Sequence, residues 1–217
     1  MHTSEMRLIT IPGTFKVCFS AVFFASLMLG AESFQWDWRH SEALTPKQSL
    51  RHAKVTEAER AAIAKAIANQ LKPDIGGLGG ESEQELEDNA LDTPVKLIDL
   101  NSDGITEVIA QGTIEDGGCS PTGNCRFWVF QKSDHEYRLL FSKESIQSFT
   151  IQQSRSNGFS DIVVKMQGSA TASTLTLLRY SEGRYKEAGC YDANWSVREG
   201  SAVHELKEPR LTPCIEK

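Results

Sequence analysis

The 217-residue sequence contains none of the short motifs that mark common catalytic sites. It has no H-E-x-x-H pair, no G-x-S-x-G nucleophile elbow and no C-x-x-C pair. The glycine-rich stretch after Asp74 is followed by five acids and not by Lys-Ser or Lys-Thr, so it does not predict a phosphate-binding loop. The histidines beyond residue 31 are isolated from one another. These absences leave no candidate catalytic residue, and we expect no enzymatic activity.

Basic patches are lacking as well. Lys and Arg total 23 against 29 Asp and Glu, which gives a net charge of −6. Binding to nucleic acid or to an anionic membrane depends on clustered cations. The charge pattern therefore predicts neither partner.

The sequence has no apolar run of the roughly 20 residues that a membrane-spanning helix needs. Its longest uncharged apolar run, Val17 to Leu29, is shorter. Arg7 and Lys16 precede this run and small residues end it, which is the organisation of a secretory signal peptide. We predict a signal peptide over residues 1–31, a periplasmic or extracellular location, and no stable membrane span after cleavage; a retained signal anchor is the alternative.

Cysteine is scarce, with five residues in the chain. Export to an oxidising compartment would favour disulfides among them. Cys18 lies inside the predicted signal, and the even number that remains favours disulfides in an exported protein. Cys119 and Cys125 lie in one loop with proline and glycine between them, which predicts a local bridge. Cys190 is then left to pair with Cys214.

One helix and one linker are predicted before the β-rich half. Thr56 and Glu59 form a capping box, and an apolar stripe recurs every four residues after it, so we predict a helix over residues 57–71. This helix belongs to an N-terminal segment, residues 32–73. Acidic and glycine-rich residues predict a flexible linker over residues 74–92.

Residues 93–217 predict a β domain, because short runs rich in Val, Ile, Phe, Tyr and Thr alternate with turn residues. Four such runs in residues 95–142 align with four in residues 148–189. The first two strands align at an offset of 54 and the last two at 48. We predict an internal repeat followed by a disulfide-tied tail, residues 190–217.

The stretch DLNSDGITEV, residues 99–108, is the most specific chemical signal in the sequence. It places oxygen donors at alternate loop positions, as Ca²⁺ ligands require. The second copy keeps the turn, as Asn157-Gly158, and an acid at Asp161 in the position of Glu107, but it has Gln153 and Arg155 in the positions of Asp99 and Asn101. A polar hairpin turn remains the alternative. The predicted metal ligands are the side chains of Asp99, Asn101, Asp103 and Glu107 and the backbone carbonyl of Ile105.

The same stretch resembles the FG-GAP, or VCBS-type, repeat, whose D-x-N-x-D-G-x-x-[DE] loop joins two strands of a propeller blade and often holds calcium. The resemblance implies one good blade-like unit and one degenerate one, with a calcium site at the residues just named. A propeller closes with about four to eight blades, and this chain has room for two. We therefore expect a mainly β fold in which two four-stranded antiparallel repeats pack as a small sandwich with one N-terminal helix.

These features predict an exported, non-enzymatic binding or structural module that is stabilised by Ca²⁺ and disulfides, with an unidentified protein or glycan ligand. Trp195 is a candidate aromatic platform for such a ligand, with edge packing as the alternative. An enzyme inhibitor or immunity-type protein acting through the Cys119–Cys125 loop is a second reading. A hydrolase with an unrecognised site is a third.

Overall fold

The structure is a computed structural model that describes residues 46–71, 82–114 and 118–214. The predicted signal peptide, residues 32–45 and 72–73 of the N-terminal segment and residues 74–81 of the predicted linker lie outside the described residues. Among the described helices, none is long and apolar enough to cross a membrane.

Helix α1 (Glu57–Leu71) has the bounds that the sequence predicts. Its capping box is formed: the backbone N–H of Glu59 donates to Thr56 Oγ1 at 3.2 Å, and the Glu59 carboxylate accepts the Thr56 N–H at 3.2 Å. Ile63 and Ile67 are fully buried on the face that packs on the protein. Local signals and the buried stripe agree, so the prediction holds.

The predicted linker is wrong over residues 83–92, which form helix α2 (Glu83–Asp92). Ser82 and Glu85 make a second capping box, and Leu86 and Ala90 are buried against α1 and the first sheet. The acidic composition indicated a solvated segment, but only two apolar residues are needed to dock so short a helix.

The β domain consists of two antiparallel five-stranded sheets, so the mainly β prediction is confirmed while each sheet has one strand more than the predicted four. Strand order follows the sequence within each sheet. Sheet 1 contains β1 (Gln48–Ser49), β2 (Pro94–Ile98), β3 (Glu107–Gln111), β4 (Cys125–Ser133) and β5 (Glu136–Ile146). Sheet 2 contains β6 (Ser148–Ser156), β7 (Phe159–Gln167), β8 (Ala172–Ser181), β9 (Arg184–Glu199) and β10 (Ala202–Pro213).

Sheet 1 is buried on both faces, which makes it the central layer. Along β4, Trp128 and Phe130 pack against the helices, whereas Phe127 and Val129 pack against sheet 2. Alternation of side chains along a strand places successive residues on opposite faces. The apolar run around Trp128 is therefore core, and Trp128 itself is buried.

The β4–β5 and β8–β9 hairpins share two irregularities at the offset of 48 that the sequence alignment gives. Their turns hold Asp134 and Glu182 at positive φ, 53° and 52°. Each hairpin also contains a register shift, after Val129 in the first and after Leu177 in the second. Bulges are specific features of a strand pair, so their coincidence supports the repeat over these two hairpins.

The predicted disulfide-tied tail, residues 190–217, contains strand structure that the sequence did not predict: β9 continues to Glu199 and β10 pairs back along it. Its residues are mostly exposed, so the alternating burial that reveals a strand in sequence is missing. Both predicted disulfides, Cys119–Cys125 and Cys190–Cys214, are confirmed. Two disulfides fit an oxidising, extracellular or periplasmic compartment.

Candidate cation-binding loop

The candidate site lies in the connection between β2 and β3, whose ladder closes at the pair Ile98 and Glu107. The connection is an eight-residue loop and not the tight hairpin turn considered from the sequence. Positive φ falls on Ser102 (62°) and Gly104 (85°). In sheet 2 the aligned Asn157-Gly158 closes a two-residue turn between β6 and β7, as the sequence predicts.

Three of the predicted ligand side chains stabilise the loop through its own backbone. Gly104 N–H donates to Asp99 Oδ2 at 3.0 Å, Asp103 N–H to Asn101 Oδ1 at 3.0 Å, and Ile105 N–H to Asp103 Oδ1 at 2.7 Å. Asn101 Nδ2 also donates to Asp103 Oδ2 at 2.8 Å. Aspartate and asparagine side chains commonly make such bonds in turns, so these contacts alone account for the shape of the loop.

Glu107 differs from the other acids because it is buried, with 1% of its surface exposed. Its Oε2 accepts the N–H of Leu100 at 2.7 Å, and Gln131 Nε2 lies 3.4 Å from Oε1. Burial raises the pKa of this carboxyl, and the negative charges of Asp103 and Asp99 raise it further. The charges of two loop acids therefore reach the buried carboxylate of Glu107.

The donor set fits Ca²⁺ in its chemistry, since hard oxygen ligands from carboxylates, amides and carbonyls are what this ion prefers. The geometry does not by itself define a site. Within the described ranges, no group of three His, Cys, Asp or Glu side chains is arranged to hold a metal ion. Ile105, whose carbonyl is the fifth predicted ligand, is half exposed.

Asp161 occupies the equivalent position in sheet 2, and sequence alignment pairs it with Glu107. Each acid binds the residue seven positions before it: Glu107 binds Leu100, and Asp161 Oδ2 accepts the Ser154 hydroxyl at 2.7 Å. Arg179 Nε lies 3.7 Å from the same oxygen of Asp161. Sequence reasoning found the alignment of the two acids but missed this shared contact, because an acid seven residues downstream is not a recognised capping pattern.

The corner of the second repeat lies against the loop of the first. Arg155 Nη2 donates to Ser102 Oγ at 2.5 Å, and Ser160 N–H donates to Leu100 O at 2.7 Å. Arg155 aligns with Asn101, so the second repeat places a cation where the first has a candidate ligand. This contact between the two loops was not foreseen from the sequence.

The disulfide loop between Cys119 and Cys125 is fixed to sheet 2 by one side chain. Asn124 Nδ2 donates to the carbonyl of Gln167 at 3.2 Å, and Asn124 Oδ1 accepts the Gln167 N–H at 3.1 Å. The amide thus pairs with the end of β7 as a neighbouring strand would. Pro121, Thr122 and Gly123 are exposed at the tip of the loop.

The described histidines and Trp195 lie on separate elements of the fold. His52 Nδ1 lies 2.9 Å from Ser49 Oγ, and His135 is in the β4–β5 turn. Trp195 is partly buried; its Nε1–H donates to Ser173 Oγ at 2.9 Å, and Lys165 Nζ lies 5.4 Å from the ring centre. These contacts hold the Trp195 ring against sheet 2.

Comparison of the chain with known protein families, with curated proteins and with solved structures finds no match.

Proposed function

We propose that this protein is an exported, non-enzymatic binding or structural module in which the loop from Asp99 to Glu107 takes up a structural Ca²⁺ ion. The observation that carries the proposal is the buried carboxylate of Glu107, whose pKa is raised by burial and by the charges of Asp103 and Asp99. A divalent cation among these oxygens offsets their mutual repulsion. The loop then gains a fixed geometry that depends on the metal.

The aligned loop of sheet 2 supports this interpretation by contrast. It makes its turn with Asn157 and Gly158 alone. Gln153 has a neutral amide in the position of the Asp99 carboxylate, and Arg155 has a cation in the position of Asn101. The acids of the first loop already hydrogen-bond its backbone; a bound cation would give their clustered charges a second role that the shorter turn of sheet 2 does not need.

The proposal includes an FG-GAP-like origin for the two sheets. Strands β2–β5 and β6–β9 are two four-stranded meanders, each extended by one edge strand. The two units share a bulge at aligned positions. In both, the aligned acid, Glu107 or Asp161, accepts a hydrogen bond from the residue seven positions earlier. These common features support a common ancestor for the two units. In this view the second unit has lost its metal ligands.

The test is thermal unfolding of the full-length, disulfide-bonded protein in calcium and in chelator. Extracellular calcium modules bind with dissociation constants of about 10⁻⁴–10⁻³ M. A ligand at 100 times its dissociation constant stabilises the folded state by about 2.7 kcal/mol. Asp103→Ala removes a carboxylate while Gly104 retains the turn, so it should abolish the calcium-dependent rise in melting temperature.

Asn157→Ala is the matched control, because it alters the aligned corner of the second loop without touching a predicted ligand. It should retain the calcium-dependent rise, although it lowers stability at the turn. Identical wild-type melting curves in millimolar calcium and in chelator would leave the loop as a polar connection and end the proposal.

A second candidate function, inhibition of an enzyme by the Cys119–Cys125 loop, is favoured by the Asn124 contact. The loop is held by a disulfide at its base and by two hydrogen bonds to Gln167. A loop that is rigid before binding loses less conformational entropy on complex formation. Replacing residues 120–123 by glycine and serine, with Asn124 retained, should abolish inhibition of a target enzyme while the melting temperature changes by a few degrees only; a replacement that inhibits as well as wild type contradicts this candidate.

A further inference from the structure

Two open strand edges lie side by side on the surface of the β domain. Strand β5 is the last strand of sheet 1 and pairs only with β4. The first half of β9 pairs only with β8, because the ladder with β10 begins at Tyr191. Between the two edges is a groove of about 400 Å³. Its lining residues are Leu139, Leu140, Phe141 and Ser142 of β5 and Arg184, Tyr185, Lys186 and Glu187 of β9.

Contacts between side chains and the opposite strand bound the groove at both ends. At one end Lys143 of β5 forms an ion pair with Glu187 of β9. At the other, the Arg138 guanidinium lies against the β8–β9 turn, where a Cβ on Gly183 would be 3.4 Å from Nη1. Residue numbers rise in the same direction on both sides of the groove: Arg138 lies against Gly183, and the later Lys143 contacts the later Glu187. Strands β5 and β9 therefore run parallel here. The stretch between them is about 17 Å long at the rise of a strand, which is enough for about five extended residues.

The backbone of β5 presents hydrogen-bonding groups to this groove. Ser133 and Glu136 flank a two-residue turn and form the first pair of the β4–β5 ladder. Pairs alternate between hydrogen-bonded and non-hydrogen-bonded in an antiparallel ladder, so the N–H and C=O of Leu139 point away from β4. The equivalent residue of β9, at the offset of 48, is Glu187. Outside these ladders, no described residue hydrogen-bonds the backbone of Leu139 or Glu187.

The charge around the groove favours an acidic occupant. Lys143 and Lys186 are each bound to a glutamate, Glu187 and Glu182 respectively. Arg138 hydrogen-bonds the neutral Gln131, and within the described residues neither Arg138 nor Arg184 forms an ion pair. Arg184 also acts on Glu182 at longer range. Two guanidinium groups thus lie at the groove without a carboxylate in contact, on a chain whose net charge is −6.

We propose that the groove between β5 and β9 binds an extended, acidic peptide segment of a partner protein, which adds to the open edge of β5 as a short strand. Main-chain hydrogen bonds supply affinity in such strand addition, and side-chain pockets supply specificity. Carboxylates of the peptide pair with Arg138 and Arg184, for which bidentate binding is the preferred geometry. The inference rests on the proposed binding role but not on calcium.

The edge also carries features that restrict pairing to a short segment. The register shift between Lys143 and Ile146 and the charges of Lys143 and Glu144 interrupt the edge beyond Ser142. Bulges and charges are the usual protection of an edge strand against unlimited pairing. The groove therefore accepts a segment of four or five residues and not a second full-length strand, which separates it from a self-association surface.

The test uses the ¹⁵N-labelled full-length, disulfide-bonded protein and three synthetic peptides. The acidic probe is acetyl-Val-Glu-Val-Glu-Val-amide, the charge control is acetyl-Val-Lys-Val-Lys-Val-amide, and the third is the acidic peptide N-methylated at its central valine. The acidic peptide should shift the amide signals of Leu139 and Glu187 and slow their exchange with solvent. It should bind at least about tenfold more tightly than the lysine peptide, a difference of about 1.4 kcal/mol, and the N-methylated peptide should not protect these amides.

The variant Arg184→Gln should weaken binding of the acidic peptide about tenfold, whereas Arg198→Gln, an exposed arginine of β9 beyond the groove, should leave it unchanged. The titrations are repeated in calcium and in chelator, and binding should be equal in both, so that loss of the calcium site and loss of the peptide site give different results. Equal binding of the acidic and lysine peptides, or no protection of Leu139 at millimolar acidic peptide, would overturn the proposal. Dimerisation of the peptide-free protein that protects the same amides would also overturn it, in favour of a second copy of the chain.

Discussion

Glu107 and Leu100 are joined across the base of the β2–β3 loop by a hydrogen bond of 2.7 Å from the Leu100 N–H to the buried carboxylate. Burial raises the pKa of Glu107 above its ordinary value of 4.5. The folded state therefore binds this proton more tightly than the unfolded state. By linkage, Glu107 lowers the free energy of unfolding progressively as the pH rises from 4.5 through the folded pKa.

The first prediction follows from this loss of stability with rising pH. Glu107→Gln retains an oxygen that can accept the Leu100 N–H but removes the buried charge. In chelator at pH 7 the variant should melt at or above the wild-type temperature, and the advantage should disappear near pH 4.5. Glu136→Gln, an exposed carboxyl in the β4–β5 hairpin, is the control and should change neither value. A Glu107→Gln protein that is equally destabilised at both pH values would show that the carboxylate charge is not the relevant property.

The sequence predicted the elements whose signals are local. It did not predict the elements that form because of packing or pairing with distant parts of the chain. Helix α1 was predicted to the residue because its capping box and apolar stripe lie in one segment. Helix α2 was missed because Leu86 and Ala90 are only two buried residues in an acidic, glycine-flanked stretch. Strand β10 was missed because its side chains are mostly exposed. Its pairing with β9 and the Cys190–Cys214 bridge hold it, and strand pairing is not visible in composition.

The candidate site was likewise predicted only in part from the sequence. The spacing of Asp99, Asn101 and Asp103 identified a polar loop, and the structure places all three in one loop with shared backbone contacts. The burial of Glu107 could not be predicted, since it depends on sheet 2 packing behind β3. The contact of Arg155 with Ser102 joins residues 53 positions apart, and no local pattern in the sequence marks such a contact.

The second prediction concerns the ion pair that joins α1 to sheet 1. Lys132 Nζ of β4 lies 2.5 Å from Glu59 Oε1. This hydrogen bond, with those from Thr56, lowers the pKa of Glu59 to about 2. A lowered folded-state pKa contributes stability that is fully present above the ordinary value of 4.5 and is lost as the pH falls toward 2. Glu59→Gln should therefore lower stability at pH 7 by about 1 kcal/mol and reduce the difference between pH 5 and pH 2.5.

The control for that prediction is Glu57→Gln in the same helical turn. Glu57 is largely exposed and lies 3.6 Å from Arg60, and exposed pairs of this kind contribute little. Denaturant unfolding at pH 7, 5 and 2.5 provides the measurement. If both variants change stability equally at every pH, the Glu59–Lys132 contact is not what couples the helix to the sheet.

The third prediction compares the two disulfides. Cys119–Cys125 closes a sequence separation of 6 residues and Cys190–Cys214 one of 24. On the chain-entropy model these closures contribute about 2.2 and about 3.5 kcal/mol respectively. The double variant Cys190→Ser and Cys214→Ser should thus lose about 1 kcal/mol more than Cys119→Ser with Cys125→Ser. Urea unfolding of the two double variants measures the difference, and a larger loss from the Cys119–Cys125 pair would be inconsistent with this model.

The last prediction concerns Asn124, the residue that attaches the disulfide loop of sheet 1 to the end of β7. Asn124→Ala removes both hydrogen bonds to Gln167 and leaves the N–H and carbonyl of Gln167 without these partners. Leaving a part-buried polar group unsatisfied costs about 1–3 kcal/mol. In a chain of this size each kcal/mol lowers the melting temperature by about 2–4 °C. The Gln167 amide should exchange faster with solvent while the Cys119–Cys125 bridge stays intact, because the disulfide does not depend on the amide contact.

Thr122→Ala, at the exposed loop tip 2.7 Å from Ser120 Oγ, is the matched control and should leave the exchange of Gln167 unchanged. Unaltered exchange of the Gln167 amide in Asn124→Ala would mean that the disulfide alone positions the loop. The rigidity on which the inhibitor candidate depends would then come from the Cys119–Cys125 bridge and not from the contact with sheet 2.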